Sequence, residues 1–218
     1  MNEEQKMRLD LLGACGYNVE AARKCLDFVR GDKDKKQESV CDRLVDGVYL
    51  INEYGGITPF GGKEKVGIEP VTHIGIIQGS HSVAIALHDV SEDEITLTEK
   101  QSKKDYGGCK YIYMDAVQDW DGKGNTERLK QIGLNPAIWL KDGEYIPTLA
   151  ELYLMCLNQK AINKAMRFVA GQELTGWYWS STECYVTQAW SFRLSDGFAR
   201  ELNKTTNNLR VRPVKKFL

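Results

Sequence analysis

The sequence of 218 residues carries no large excess of charge of either sign. Its 29 lysines and arginines stand against 30 aspartates and glutamates, so the chain has no global electrostatic field that would attract nucleic acid or an anionic membrane. It also lacks any run that approaches the roughly 18 apolar residues of a membrane-spanning helix. We therefore expect neither a nucleic-acid partner nor insertion into a membrane.

A secretory signal and a paired-cysteine motif are also missing. The first residues, "MNEEQKMRLD", are acidic and amphipathic, whereas a signal peptide begins with basic residues and continues with an apolar stretch. We expect synthesis in the cytoplasm without a signal peptide. The six cysteines are widely spaced and form no CxxC pair, which argues against a zinc ribbon or a disulfide framework and favours free, mostly buried thiols.

A run of charged residues near the N-terminus divides the chain into two regions. Before it, apolar residues recur at three- and four-residue steps on both sides of "GACGYN", which predicts a short helical hairpin. The run itself, "GDKDKKQE", contains no apolar residue and is typical of a solvated linker. We predict that residues 1–38 form this hairpin and linker and that residues 39–218 form a separate domain.

The first half of the second region is rich in predicted strands. The segments "GVYLIN" (47–52), "VTHIGIIQ" (71–78) and "SVAIALH" (82–88) contain mainly β-branched and small residues. The sequence "GSH" between the last two segments suits the turn of a β-hairpin. These strands are expected to be buried on at least one face.

Strand patterns return near the C-terminus. Apolar and polar residues alternate in "AWSFRLS" (189–195), as in a half-buried strand. Asp196 and Gly197, which follow, predict a tight turn. The segment "LRVRPV" (209–214) also alternates, with both arginines on the polar face, and Pro213 places it at a sheet edge or near a strand end.

One clear helix, and one or two modest helices within residues 103–147, are predicted between these strand regions. The clearer helix begins after Thr148, which can cap it while Glu151 reaches back to form a capping box. Its apolar residues keep the helical period, and Gly171 ends it. A shorter helix is predicted to open at Asn125 or Thr126.

Several patterns resemble reactive sites only in part. Three histidines lie within sixteen residues, but no acidic residue or cysteine joins them at metal-ligand spacing, so structural roles are favoured for His73, His81 and His88. The segment "DWDGKGNTE" (119–127) lacks the twelfth-position glutamate of a calcium loop and is interpreted as a polar turn. We expect no metal and no cofactor.

The glycine-rich and cysteine-containing segments give no stronger evidence of catalysis. "YGGITPFGGKEK" (54–65) fits neither the phosphate loop nor the dinucleotide fingerprint and is predicted to be a loop. Cys184 could be a reactive thiol if exposed, but no histidine in the second half of the chain could activate it. We therefore do not expect an enzyme.

The aromatic-rich stretch "GWYWSSTECYVTQAWSFRLSDG" (176–197) is the most informative part of the sequence. The polar face of this predicted hairpin and its continuation carries tyrosine, serine, asparagine and arginine. Rigid recognition surfaces use this composition, because tyrosine gives area with few rotors and small polar residues adapt their hydrogen bonds. An ordinary solvated sheet face would have a similar composition and remains the alternative.

Short segments with a fixed order and spacing extend this observation. They are "YWSSTE" (178–183), "AW" (189–190), "DG" (196–197), "NK" (203–204) and "RVRPVKKF" (210–217). In these the chain resembles the C-type-lectin-fold proteins of gut bacteria and their phages, including the variable proteins diversified by diversity-generating retroelements. Upstream "DGVYL", "VAIAL" and "GEYIPTLAEL" match the same layout, so the resemblance covers about residues 44–217.

The resemblance implies an α+β protein with a C-type lectin-like fold, preceded by the N-terminal helical hairpin. It implies that Trp179, Ser180, Ser181, Trp190, Gly197 and "VRPV" are scaffold, while Trp177 stays unassigned. The positions matching the diversified, ligand-binding ones are Tyr185, Val186, Thr187, Gln188, Ser191, Arg193, Ser195, Asp196, Phe198, Arg200, Glu201, Asn203, Thr205, Asn207 and Arg210. The tripeptides "WND", "EPN" and "QPD" of calcium-dependent sugar-binding lectins are absent from the C-terminal half, so that activity is not expected.

The resulting hypothesis is a receptor-binding or adhesin-like protein that displays a hypervariable surface to a cell-surface protein or glycan. Residues 1–38 are the candidate site of homo-oligomerisation, and a place in a phage virion or tail would reconcile cytoplasmic synthesis with an extracellular role. Two alternatives stay open. One is an enzyme of the formylglycine-generating type on the same fold, and the other is an intracellular adaptor that acts through the N-terminal hairpin.

Overall fold

The computed structural model describes residues 44–61, 70–101 and 108–217. Within these ranges the chain has a mixed α/β fold with four helices and nine strands, which form two antiparallel sheets. The predicted hairpin and linker of residues 1–38 lie outside the described residues. In the part of the chain that the structure covers, no helix combines the length and apolar character needed to cross a membrane.

The larger sheet has six strands in the order β2-β1-β3-β4-β9-β5. These are β1 (Gly47–Asn52), β2 (Ile57–Pro59), β3 (Val71–Gln78), β4 (His81–Ala86), β5 (Glu144–Tyr145) and β9 (Val214–Lys215). The predictions of β1 and of the β3–β4 hairpin are confirmed, and Gly79 in the turn has a φ of 58° that favours glycine. The glycine-rich segment 54–65 is not wholly a loop, because Ile57–Pro59 pairs with β1.

The smaller sheet contains the aromatic-rich stretch and has the order β6-β7-β8. Its strands are β6 (Trp177–Tyr185), β7 (Gln188–Arg193) and β8 (Phe198–Asn203), joined by two hairpins. Gly197, in the second turn, has a φ of 75°. The tight turn predicted at Asp196 and Gly197 is therefore confirmed.

The described residues contain four helices: α1 (Tyr113–Ala116), α2 (Gly122–Ile132), α3 (Leu149–Leu157) and α4 (Gln159–Phe168). The capping box of α3 is confirmed, since the Thr148 hydroxyl accepts from the Glu151 amide at 3.1 Å and the Glu151 carboxylate accepts from the Thr148 amide at 2.8 Å. The single helix predicted as far as Gly171 is wrong. The helix is interrupted at Asn158, whose side-chain amide donates to the Leu154 carbonyl at 3.0 Å.

The predicted start of α2 at Asn125 or Thr126 is also wrong, because the helix begins at Gly122. Asp121 caps it by accepting a hydrogen bond from the Gly124 amide at 3.0 Å. The segment 119–127 is thus a helix start and not only a polar turn. Asn125 and Thr126 are buried inside the first turns, where Thr126 donates to the Gly122 carbonyl at 2.8 Å.

Two apolar clusters hold the sheets and helices together. The larger one joins the inner face of the six-stranded sheet (Leu50, Ile74 and Ile85 among others), helices α3 and α4, and one face of the three-stranded sheet. The smaller one covers the other face of that sheet around Trp179. The three-stranded sheet is therefore buried over much of both faces, and only its ends and β8 reach the surface.

The C-terminal segment differs from its predicted form. Its strand is limited to Val214–Lys215 and lies inside the sheet between β4 and β5, although Pro213 does lie at a strand end as predicted. Arg212 is fully buried instead of exposed. Its guanidinium is 2.6 Å from Asp89 and donates to the carbonyls of Ala86 at 3.0 Å and Gln172 at 3.1 Å. Alternation alone could not predict this, because the buried carboxylate comes from a distant segment.

Candidate functional site

The fifteen predicted binding positions differ in exposure. Six are exposed, namely Tyr185, Ser195, Asp196, Phe198, Arg200 and Glu201. Eight are half-buried, namely Val186, Thr187, Gln188, Arg193, Asn203, Thr205, Asn207 and Arg210. Ser191 is fully buried, and its hydroxyl donates to the Arg200 carbonyl at 2.8 Å. The prediction that Ser191 lies on the exposed face is wrong, because the second apolar cluster covers the middle of that face.

These positions do not form one continuous surface. Some lie around the β7–β8 turn and others around the β6–β7 turn, at opposite ends of β7. Six residues of strand span about 20 Å. Glu201 lies opposite Trp190 in the register and so projects from the other face of the sheet than Arg200. The structure therefore divides the predicted site into two patches.

The first patch, which we call the arginine–aromatic patch, consists of Trp177, Arg193, Asp196, Phe198 and Arg200. The guanidinium of Arg200 lies 4.2 Å from the centroid of the Trp177 ring. That of Arg193 lies 5.2 Å from the same ring and 5.7 Å from the Phe198 ring. Both arginines are thus held over aromatic rings by cation–π attraction.

The aromatic rings of the patch also contact each other. Trp177 and Phe198 meet edge to face with centroids 5.9 Å apart, a favoured aromatic geometry. Phe198 nevertheless leaves 52% of its surface exposed. The sequence had left Trp177 unassigned, and the structure places it in this patch, whereas Trp179 and Trp190 are buried.

Arg193 is fixed from a second direction by Asp196. Its Nε and one terminal nitrogen donate to the two carboxylate oxygens at 2.8 and 2.5 Å. The hydrogen bond from Arg193 holds the pKa of the Asp196 carboxyl below its usual value. Arg200 has no carboxylate partner among the described residues. The patch thus presents two cations against one anion.

The second patch, which we call the tyrosine edge, consists of Tyr111 and Tyr185. Their rings meet edge to face at 5.2 Å, and they are 50% and 43% exposed. The Lys110 amide donates to the Glu183 carbonyl at 2.7 Å, which fixes this segment beside β6. Sequence reasoning missed Tyr111, because its segment shows no clear helical or strand period.

Buried polar groups fix the backbone beside the tyrosine edge. Glu183 and Lys204 form a buried ion pair that joins β6 to the segment after β8. The Lys204 amide donates to the Thr187 carbonyl at 3.0 Å, and the Lys204 carbonyl accepts from Leu97 at 2.9 Å. These contacts fix the backbone of the β6–β7 turn. Lys204 belongs to "NK", one of the segments that carry the resemblance, and this was the feature of the sequence that could have pointed to its role.

A β-bulge interrupts β6, and buried hydroxyl side chains form hydrogen bonds there. The register shifts between Trp179 and Glu183, and the intervening residues Ser180, Ser181 and Thr182 are fully buried. The Thr182 hydroxyl donates to Asp119 at 2.8 Å and accepts from the Leu149 amide at 3.1 Å. Small hydroxyl side chains thus satisfy the polar groups where the strand ladder is interrupted.

The other candidate sites are less favourable for chemistry. Cys184 is fully buried, and burial raises the pKa of its thiol to about 12, so the nucleophilic thiolate is scarce at neutral pH. Among the residues that the structure describes, Cys156 is a half-buried free thiol, and burial raises its pKa too.

The three histidines lie in different surroundings. His73 is buried 3.3 Å from Glu144, His81 stacks on Trp120, and His88 is exposed. In the described ranges, no group of three or more histidine, cysteine, aspartate or glutamate residues is arranged to hold a metal ion. The adaptor hypothesis concerns residues 1–38, which lie outside those ranges.

The two patches are held by aromatic contacts, an ion pair and hydrogen bonds, and their exposed side chains can contact a partner. No family model matches the sequence, and no curated protein is significantly similar to it.

Proposed function

We propose that the protein binds a protein or glycan on a cell surface, with the arginine–aromatic patch as the centre of the contact. The observation that carries this proposal is the stack of Arg200, Trp177, Arg193 and Phe198, in which Phe198 and Arg200 are exposed and the other two are half-buried. Aromatic and arginine side chains dominate the energy of protein interfaces. Those of this patch are already ordered, so little conformational entropy is lost when a ligand covers them.

We further propose that the scaffold of this binding surface is a C-type-lectin-like fold. Its support is the resemblance of residues 44–217, together with the two-sheet α/β architecture. The segment proposed to diversify forms a sheet of its own, β6-β7-β8, anchored by buried serines, Trp179 and Lys204. Such a scaffold would tolerate changes at exposed positions, since surface substitutions usually alter stability by about 0.5 kcal/mol or less.

Binding can be tested with the full chain, fluorescently labelled, on a glycan array and on a panel of intact bacterial cells. We expect binding to at least one target, and we expect R193A/F198A/R200A to weaken it by about tenfold or more, because several interface residues are removed at once. The matched control is W139A/K160A/K164A, which also removes one exposed aromatic ring and two exposed cations. Equal loss in the two variants, or no binding to any target, would refute the proposal.

Diversification by a retroelement can be tested in the neighbouring DNA. We expect a reverse transcriptase gene and a near-copy of the segment that encodes residues 180–214. The two copies should differ mainly at adenines of the template, at codons for the predicted binding positions. A genome with neither element would contradict diversification while leaving the binding proposal intact.

Assembly into an oligomer through residues 1–38 and display on a phage virion complete the proposal. Oligomerisation would strengthen weak single contacts by multivalency. Light scattering should give a mass of two or more protomers for the full chain and of one protomer for residues 39–218. The same number of protomers in both proteins would exclude residues 1–38 as the site of association.

A further inference from the structure

One cleft in the described part of the chain contains none of the fifteen predicted binding positions and no residue of either patch. It has a volume of about 560 Å³, within the usual size of small-ligand sites. It is formed by the start of β4, the N-terminal end of α2, β5 and the end of β9. Its lining includes Lys123, Lys215, Lys216, His81 and Trp120, and we call it the lysine cleft.

The three lysines are the unusual feature of this cleft. Lys123 and Lys216 are exposed and Lys215 is half-buried. In the described part of the chain, none of the three ammonium groups forms an ion pair, although the protein uses other lysines in this way, such as Lys130 and Lys204. Three cations that line one cleft without an ion-pair partner raise its positive potential and favour the binding of an anion.

Two acidic residues, Asp121 and Glu151, also line the cleft, and the carboxylate of each already has a partner within the protein. Asp121 caps α2 and lies 3.7 Å from Arg128. Glu151 is almost fully buried and accepts hydrogen bonds from the Tyr145 hydroxyl at 2.7 Å and the Thr148 amide at 2.8 Å.

Glu144, the neighbour of Lys215 across the strands, interacts with His73 and with the Lys141 amide. These acidic groups therefore do not replace an external anion.

A flat aromatic wall adds a second recognition element. Trp120 and His81 stack almost in parallel, with centroids 3.7 Å apart and an interplanar angle of 5°. Trp120 remains 39% exposed. An aromatic wall beside cations suits a ligand that combines a ring with a charged group, and the hydroxyls of Ser80 and Ser82 add polar contacts.

We propose that the lysine cleft binds small ring compounds that carry a phosphate or sulfate ester, such as a phosphorylated or sulfated sugar. The lysines would neutralise the ester, and the Trp120–His81 stack would contact the ring. This site is independent of the arginine–aromatic patch and of the ligand proposed for it. Both ligands could bind the protein at the same time.

Isothermal titration of the full chain tests this proposal with glucose 6-phosphate, glucose 6-sulfate, inorganic pyrophosphate and unmodified glucose. We expect the ester sugars to bind at least about tenfold more tightly than glucose, and less tightly when NaCl is raised from about 50 to about 300 mM. The phosphate and sulfate arms identify the preferred ester. Equal binding of glucose, or no binding of any anion at millimolar concentration, would overturn the proposal.

Two variants locate the binding. K123Q/K215Q/K216Q should lose at least about tenfold in affinity for glucose 6-phosphate, while the charge-matched K100Q/K160Q/K164Q should keep it. W120L should weaken glucose 6-phosphate but leave pyrophosphate unchanged, because only the sugar has a ring to stack. Thermal melting of each variant confirms that it is folded. Equal loss in the two lysine variants would place the anion elsewhere and refute the lysine cleft.

Discussion

Arg212 shows how much a single buried charge contributes to this protein. Both Arg212 and its partner Asp89 are withdrawn from water, and each retains one side-chain atom with no hydrogen-bond partner. Replacing a buried ion pair with apolar residues can be neutral, but removing one partner leaves an uncompensated charge. This pair joins the segment before β9 to the end of β4.

We expect Arg212→Ala to lower the free energy of unfolding by about 3–5 kcal/mol, because Asp89 would stay buried without a counter-charge. Urea denaturation followed by circular dichroism measures the change. Arg210→Ala is the control, since this half-buried residue bonds only to the hydroxyl of Thr175 among the described side chains, and it should cost about 1 kcal/mol or less. Equal costs would contradict the assigned role of Arg212.

Glu151 makes the free energy of unfolding depend on pH. Burial raises the pKa of its carboxyl to about 6, although hydrogen bonds from Thr148 and Tyr145 oppose the shift. Because this pKa lies above the value of 4.5 for a free glutamate, the folded state binds the proton more tightly than the unfolded state. The stabilisation of the folded state by this protonated carboxyl is fully present below about pH 4.5 and is lost as pH rises through about 6.

We expect the wild type to lose about 2 kcal/mol of stability relative to Glu151→Gln between about pH 4.5 and 7. Glutamine keeps an acceptor for the Thr148 amide and does not titrate, so the difference between the two proteins isolates this carboxyl. Urea denaturation across the pH range measures it. Parallel curves for the two proteins would show that Glu151 has an ordinary pKa.

The bulge of β6 illustrates the element scale. A regular strand would pair every residue with β7, but the register shifts on both sides of Glu183. Side chains and distant backbone groups replace the lost strand bonds. The Ser181 amide donates to the Pro147 carbonyl at 2.7 Å, and the Ser180 hydroxyl donates to the Trp190 carbonyl at 2.8 Å. The bulge thus ties the small sheet to the start of α3.

We expect Thr182→Val to cost about 1–3 kcal/mol, because it leaves the Leu149 amide without its acceptor and removes one of the two hydrogen bonds to an oxygen of buried Asp119, while it keeps the volume of the side chain. Thr182→Ser keeps the hydroxyl and should cost less. Thermal and urea denaturation of both variants measures the difference. A valine variant as stable as the serine variant would show that the hydroxyl is not needed in the bulge.

At the scale of the whole molecule, the residues that stabilise the fold differ from those proposed to bind a ligand. Its two apolar clusters lie between the sheets and helices, while the arginine–aromatic patch and the tyrosine edge lie at the ends of the small sheet. Because exposed cation–π contacts contribute about 0.5–1 kcal/mol each, neither patch is needed to hold the fold. The surface can then change while the core is retained.

We expect the combined replacement of Tyr185, Arg193, Phe198 and Arg200 by alanine to lower the melting temperature by no more than about 5 °C. Phe192→Ala, which empties a fully buried position of the same sheet, should lower it by about 10 °C or more. Differential scanning calorimetry compares the two. A large loss in the fourfold variant would mean that these residues belong to the core.

Local patterns in the sequence predicted many elements of the fold. The strand "GVYLIN", the β3–β4 hairpin, the capping box at Thr148 and the Asp196–Gly197 turn all depend on neighbours within a few residues. Such features follow from side-chain period and from backbone preference. The helix break at Asn158 was missed, because apolar periodicity continues on both sides of it.

The candidate site was predicted in part. The sequence placed it in the β6–β8 region and identified most of its exposed residues, because polar and aromatic residues alternate there. It missed Tyr111 and the covering of Ser191, since both depend on a segment far along the chain packing against the sheet. It also assigned the arginine of "VRPV" to a polar face, although its carboxylate partner lies 123 residues away.

The sequence by itself determined the mixed secondary structure, the balance of charge, and the concentration of aromatic and arginine residues in β6–β8. Only the tertiary structure decided which of those residues are exposed, how they divide into two patches, and which lysines meet in the lysine cleft. The physical reason is the separation along the chain of the residues that interact. Propensity, capping and turn formation act between neighbours along the chain, whereas burial, ion pairing and ring stacking depend on segments that meet only in the folded state.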